Sequence, residues 1–135
     1  MSQPAALHST AKNLRENDCP DNWRLICSSH DRAPEFIKGK IKAGMFNLGW
    51  LPGSGNKAVT TKLDTTLIAV RDAIEMLDGD GIILIAVYPG HEEGTREGQA
   101  LQDMLSQYDR RVYSVSKFQI INSPTSPYFI IIENR

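Results

Sequence analysis

The chain has 135 residues, 41% of them hydrophobic and 23% charged, with a formal net charge of −1. That length and composition fit one globular domain, residues 1–135, with a single core, and exclude a disordered or fibrous chain. The near-neutral balance excludes a global attraction to nucleic acid or to anionic membrane, so any nucleic-acid contact needs a local basic patch.

Ser2 followed by Pro4 reads as a helix start. Leu7, Ala11 and Leu14 recur at helical spacing, and Asn17-Asp18-Cys19-Pro20 ends the helix. Trp23 to Cys27 reads as a short strand, stopped by Ser28-Ser29-His30-Asp31. Cys19 and Cys27 match no metal-ligand spacing, and no secretory signal is evident. These features set the expectation of reduced thiols, no bound metal and a cytoplasmic setting.

A helical turn is predicted over Ala33 to Ile37. The basic stretch from Lys38 to Lys42 reads as a solvated edge. Ile41 to Phe46 is the next strand, apolar on both sides near its end, as in a sheet covered on both faces. A long loop follows over residues 48 to 60. Thr61 with Asp64 resembles a capping box. Leu63, Leu67, Val70, Ile74 and Leu77 then fall at spacings of 4, 3, 4 and 3, one apolar helical stripe. Asp78-Gly79-Asp80-Gly81 stops this helix. Ile82 to Val87 is a continuous apolar strand, and the run to Tyr88 is too short to cross a bilayer. A helix from about Thr95 to Tyr108 buries Leu101, Met104, Leu105 and Tyr108. Val112 to Ile121 and Tyr128 to Glu133 are two last strands, antiparallel because six residues cannot make a parallel crossover. The order argues for an α/β sandwich with a mostly parallel sheet.

Three polar loops, Ser28–Asp31, Asn47–Lys57 and Pro89–Gly94, follow three parallel strands. Their C-terminal ends share one edge, so the loops converge on one crevice. Asn47 offers a carbonyl acceptor and an amide donor able to orient an amine; a turn-forming Asn is the alternative. Trp50 can stack on a base or pack against its own helix. Gly53-Ser54-Gly55 lacks the Lys-Ser or Lys-Thr of a phosphate loop. His30 and His91 are acid/base candidates because histidine titrates near neutrality. No Gly-x-Ser-x-Gly elbow supports a hydrolase, and His91-Glu92-Glu93 lacks zinc spacing.

Phe46-Asn47-Leu48-Gly49-Trp50-Leu51-Pro52-Gly53, Thr60-Thr61-Lys62, Thr65-Thr66, Val87-Tyr88-Pro89-Gly90-His91, Ile121-Asn122-Ser123 and a final Pro-Tyr-Phe strand occur in that order. In this series the chain resembles the "Putative rRNA methylase" family of class I S-adenosylmethionine-dependent methyltransferases. Members of that family include the enzyme that methylates the aminomethyl group of the wobble uridine in tRNA. The resemblance covers nearly the whole chain from about Gln3. It implies a three-layer Rossmann-like sheet lacking its first two strands, with an antiparallel C-terminal pair. It implies methyl transfer to an amine or base nitrogen of tRNA or rRNA, with S-adenosylmethionine as cofactor.

By the same resemblance Asn47, Leu48, Gly49 and Trp50 stand at the catalytic motif. There the Asn side chain and neighbouring carbonyls grip the acceptor amine and the aromatic stacks on the target base. Ser29, His30 and Asp31, with Asn47, fall on the cofactor side. Trp50, Pro52, Thr61, Lys62, His91 and Asn122 fall on the substrate side. The family opens with a strand, an Asp-x-x-x-Gly-x-Gly loop and a second strand ending in a ribose-binding acid, and none of these is among the 135 residues. The expectation is therefore an N-terminally shortened member. Trp23–Cys27 is expected to move beside Ile41–Phe46 in a five-stranded sheet, or else the exposed sheet edge is expected to be covered in a homodimer. The functional alternatives are a methyltransferase completed by another chain, an inactive domain retaining an RNA crevice, and a protein-interaction module.

Overall fold

In the computed structural model, residues 4–48 and 56–135 are described, with the side chains of residues 56–62 excepted. The elements in chain order are helix α1 (Pro4–Glu16), a 3-10 helix (His30–Glu35), strand β1 (Ile41–Leu48), helix α2 (Asn56–Met76), strand β2 (Leu77–Val87), helix α3 (Glu92–Leu105), strand β3 (Tyr113–Phe118) and strand β4 (Tyr128–Asn134). The four strands form one sheet in the order β1-β2-β4-β3. β1 and β2 pair in parallel, and β4 runs antiparallel to both β2 and β3. Three strands therefore share a direction and β4 alone opposes them, which is the α/β class expected.

The pleat decides the core. Directly paired residues project to one face, and the pairs Ile83–Ile132, Ile85–Ile130 and Val87–Tyr128 are all buried. Against them pack Val70, Ala73 and Ile74 of α2 and Leu101 and Leu105 of α3. Full burial of each large aliphatic side chain contributes roughly 1.5–3 kcal/mol. The opposite face is more open. Met45 is 68% exposed, and Ile82, Phe118 and Phe129 are also exposed there.

Trp23–Cys27 does not join the sheet. Among the described residues the sheet has four strands, not five, and β1 is its edge. Trp23 and Leu25 line an open groove together with residues of α1, and the Arg24 guanidinium donates to the Phe36 carbonyl, which ties the segment to the end of the 3-10 helix.

Other boundaries differ as well: β3 ends at Phe118 and not at Ile121, and the helical turn spans His30–Glu35 and not Ala33 to Ile37. Asp78–Gly81 lies inside β2 rather than closing a helix, because the ladder jumps from Ile41–Leu77 to Ala43–Ile82. Asp80 adopts φ 64°, in the left-handed region, and Asn134 Nδ2 donates to the carbonyls of Leu77 (3.2 Å) and Asp78 (3.1 Å). α2 starts at Asn56, so Thr61 lies within the helix and is not its cap. α3 starts at Glu92 because His91 caps it.

The basic stretch has a structural role. Lys40 Nζ donates to the Glu75 carbonyl at 3.1 Å, near the C-terminal end of α2, where cations are favoured. Lys42 Nζ lies 2.8 Å from Asp78 Oδ2. That hydrogen bond, with the Gly79 backbone amide, holds the Asp78 carboxyl below its ordinary 3.8, and the same bond raises Lys42 above 10.5. The depressed carboxyl contributes stability above pH 3.8 that is lost as pH falls through its folded value. The raised ammonium contributes below pH 10.5 and loses its contribution as pH rises through its folded value. Between the two limits the clasp is indifferent to pH.

Candidate functional site

The strand directions place the C-terminal ends of β1, β2 and β3 and the start of β4 on one edge of the sheet. The register puts Asn47 beside Ala86, Leu48 beside Val87, Val87 beside Tyr128 and Phe118 beside Phe129. This edge therefore gathers the end of β1, the turn 88–91 and the connection 119–127. The last two approach closely, since a Cβ added to Gly90 would lie 3.8 Å from the Thr125 carbonyl oxygen. Convergence of loops at strand C-termini is where open α/β sheets bind ligands.

Asn47 is exposed at the tip of β1. Its neighbour Leu48 points the other way and is 7% exposed, part of the core. Leu48 can therefore offer the site only its backbone. Gly49, Trp50 and Pro52, and with them Gly53-Ser54-Gly55, lie outside the described residues. Thr61 and Lys62 lie in α2, and their side chains are likewise outside them.

Ser29 is exposed and precedes the 3-10 helix; its carbonyl accepts from Arg32 N at 3.1 Å. The His30 ring meets Phe46 edge-on, with centroids 6.2 Å apart and planes at 65°. Phe46 and Asn47 are successive residues of β1, so they face opposite sides of the sheet. The 3-10 helix and Asn47 thus flank the strand end from two sides. Asp31 Oδ1 is buried with no hydrogen-bond partner among the described residues. A buried acceptor left unsatisfied costs about 1–3 kcal/mol, so this oxygen suits a donor supplied by a ligand, such as an exocyclic amine. On that ground the residues present fit the adenine end of an adenosyl cofactor.

His91 is the N-cap of α3. Its Nδ1 accepts the Gly94 amide at 3.2 Å, satisfying one of the donors a helix start leaves open. Asn122 is exposed in the 119–127 connection, on the same edge as His91. The structure thus brings Asn47, His91 and Asn122 to one edge.

Glu97 escapes the reading from sequence, and Thr66 enters it only within the Thr65-Thr66 motif, with no role attached. They are the buried polar side chains among the described residues, at 6% and 0% exposure. Glu97 stands four residues before Leu101 and eight before Leu105, so the helical period was the signal that aimed it inward. Among the described residues no helix is long and apolar enough to cross a membrane.

Comparison with known proteins agrees with this fold. A model of the "Putative rRNA methylase" family matches residues 2–134. The chain is 31% identical over 137 residues to the chloroplastic tRNA (mnm(5)s(2)U34)-methyltransferase of Arabidopsis thaliana, and spans about half (48%) of that relative's length. A crystal structure of a "putative rRNA-methylase" from Clostridium thermocellum superposes with a TM-score of 0.88 at 32% identity, covering 100% of this chain and 73% of that one. A "putative methyltransferase" from Streptococcus mutans, solved in complex with SAH, superposes at 0.86 with 29% identity, covering 100% of this chain and 73% of its own.

Proposed function

This chain belongs to the "Putative rRNA methylase" family, and on that basis we propose that it serves S-adenosylmethionine-dependent methyl transfer to an amine or base nitrogen of tRNA or rRNA. The observation that carries the reading is the exposed Asn47 at the tip of β1, on the edge where the 88–91 turn and the 119–127 connection meet. The relative solved with SAH and the tRNA-methylating relative support it.

The cofactor, when bound, supplies an electrophilic methyl group. Ser29, His30 and Asp31 would hold its adenine end, with the buried Asp31 oxygen accepting a hydrogen bond. The Asn47 amide oxygen would accept an N–H of the acceptor amine and aim the nitrogen lone pair. Trp50 would stack on the target base. His91 and Asn122 would border the substrate. Alignment of two reacting atoms alone can lower a barrier by roughly 7–11 kcal/mol, so an orienting amide is chemistry enough for Asn47. The test is transfer of labelled methyl from S-adenosylmethionine to unmodified tRNA and rRNA by the purified chain. Label recovered on a nitrogen substituent supports the reading, and no label in any RNA counts against it.

The open β1 edge favours a second reading, that two copies join along β1. β1 is the outer strand of the sheet among the described residues, and an outer strand can pair with another chain. Light scattering should then give twice the 15.1 kDa chain mass. A mass of one chain removes this reading.

A further inference from the structure

The connection 119–127 is built from two successive β-turns. The Ser123 amide donates to the Ile120 carbonyl at 3.2 Å, and the Ser126 amide donates to the Ser123 carbonyl at 3.1 Å. A hydrogen bond between the half-buried Ser123 and Ser126 hydroxyls ties the second turn, and Pro124 fixes its first corner. The Thr125 carbonyl faces Gly90 of the 88–91 turn. The loop is therefore braced from within and from the neighbouring turn.

The first turn puts Ile121 and Asn122 at its two corners. Such corners are ordinarily taken by Gly, Pro, Asn, Asp or Ser, so Asn122 suits its place and Ile121 does not. Ile121 is 99% exposed, and Ile120 beside it is 48% exposed, so Ile121 contributes nothing to the core. Single exposed apolar side chains are common on protein surfaces. Full exposure at the corner of a braced turn, next to Asn122 on the site edge, is a placement that folding alone does not require. It is also independent of the open β1 side: β4 and β3 stand at the other end of the sheet. From Val112 to Ile132 the sequence contains no Asp or Glu, and Lys117 is the one charged residue, so this hairpin does not repel a polyanion.

We propose that Ile121 is a wedge that enters the base stack of the substrate RNA beside the target nucleotide and fills the gap left as the target base swings out toward Asn47. Enzymes that act on a base take it out of the stack, and apolar side chains inserted between bases hold a stack open. Strands about 4.8 Å apart put the 119–127 connection two to three spacings, roughly 10–14 Å, from the tip of β1. The two residues therefore act on different parts of the RNA, Ile121 on the stack and Asn47 on the extruded base. Ile121 is thus a positioning residue, and the proposal rests on the reading that the substrate is RNA.

The probe is a synthetic tRNA anticodon stem–loop with 2-aminopurine beside the wobble uridine, whose fluorescence rises when its stack is opened. Saturation with the native chain is expected to raise the signal several-fold. Ile121→Ser is expected to lose most of that rise and to bind the stem–loop about tenfold more weakly, because nothing then offsets unstacking. Ile121→Leu, which keeps the apolar bulk, is expected to restore most of both. An oligouridylate, with no stack to open, should show no difference between the native chain and Ile121→Ser. A substitution at so exposed a position leaves the fold intact, and an unchanged melting curve checks this. A native signal in Ile121→Ser overturns the proposal, as does a native chain that gives no rise. Equal weakening on oligouridylate also overturns it, because Ile121 would then be a plain contact. A dimer that Ile121→Ser dissociates overturns it too, because the side chain would then lie between copies. Methyl transfer separates the two claims. An Ile121-dependent rise without transfer leaves the wedge standing and sinks the enzyme reading; transfer with a native signal in Ile121→Ser does the reverse.

Discussion

Replacing Gly94 with alanine is expected to lower the melting temperature by about 10 °C, the largest stability effect of any single methyl group on the site edge. A Cβ at this position would run into the Tyr88 carbonyl oxygen and sit 2.9 Å from its carbon, with His91 Cε1 at 3.2 Å. The obstacle is main chain, so no rotamer change relieves it. The first turn of α3 would have to move off the end of β2, and the Gly94 amide would leave His91 Nδ1. Overpacking of about 1–3 kcal/mol and a lost cap of roughly 1 kcal/mol together make about 3 kcal/mol. For a chain of this size each kcal/mol shifts melting by roughly 3–5 °C. Gly98→Ala is the contrasting case. There a Cβ meets side chains and not main chain, the Tyr128 hydroxyl and Val87 Cγ1 at 2.9 Å, but both residues are buried in the core, so the strain falls on core packing and not on the helix cap. A Gly94→Ala melting curve matching the native one would contradict the packing described.

Asn47→Ala is expected to lower methyl transfer by about 100-fold or more, the loss typical of removing one preorganised polar group from a reacting centre, while leaving the fold intact. Asn47 is exposed and takes no part in the buried core, so stability should change by no more than about 0.5 kcal/mol. The pairing of a large rate effect with a negligible stability effect distinguishes an orienting amide from a turn-forming one, because the latter would lose stability first. A rate close to that of the native chain would remove Asn47 from the reaction.

The parts legible in the sequence were those in which local pattern and tertiary packing agree. Val70 and Ile74 fall on the buried face of α2, as their spacing indicated, and the run Ile82 to Val87 forms the central strand with its odd-numbered members inward. The antiparallel pairing of the last two strands followed from the length of their connection. The convergence of the 88–91 turn and the tip of β1 followed from strand direction alone.

Other parts depended on interactions that no local pattern encodes. Trp23 to Cys27 has the composition of a strand, yet its hydrogen bond goes from Arg24 to the Phe36 carbonyl and not to a β1 ladder. Asp78–Gly81 has the composition of a helix stop, but Asn134, 56 residues beyond Asp78, binds the Leu77 and Asp78 carbonyls and keeps the segment within β2. His91 drew notice as a titrating group, and its cap on α3 emerges only from the geometry of the turn. Leu48 shared a motif with Asn47, but the alternation of a strand sends their side chains to opposite faces.

The decisive measurement is a calorimetric titration of S-adenosylhomocysteine into the purified native chain and its Asp31→Ala variant. Saturable binding by the native chain is the expected result, weakened about tenfold or more when the buried Asp31 acceptor is removed, the size expected for one hydrogen bond to a charged group. No heat of binding at millimolar ligand would contradict it, leaving a methyltransferase fold whose sheet edge serves RNA or protein partners without the transfer chemistry.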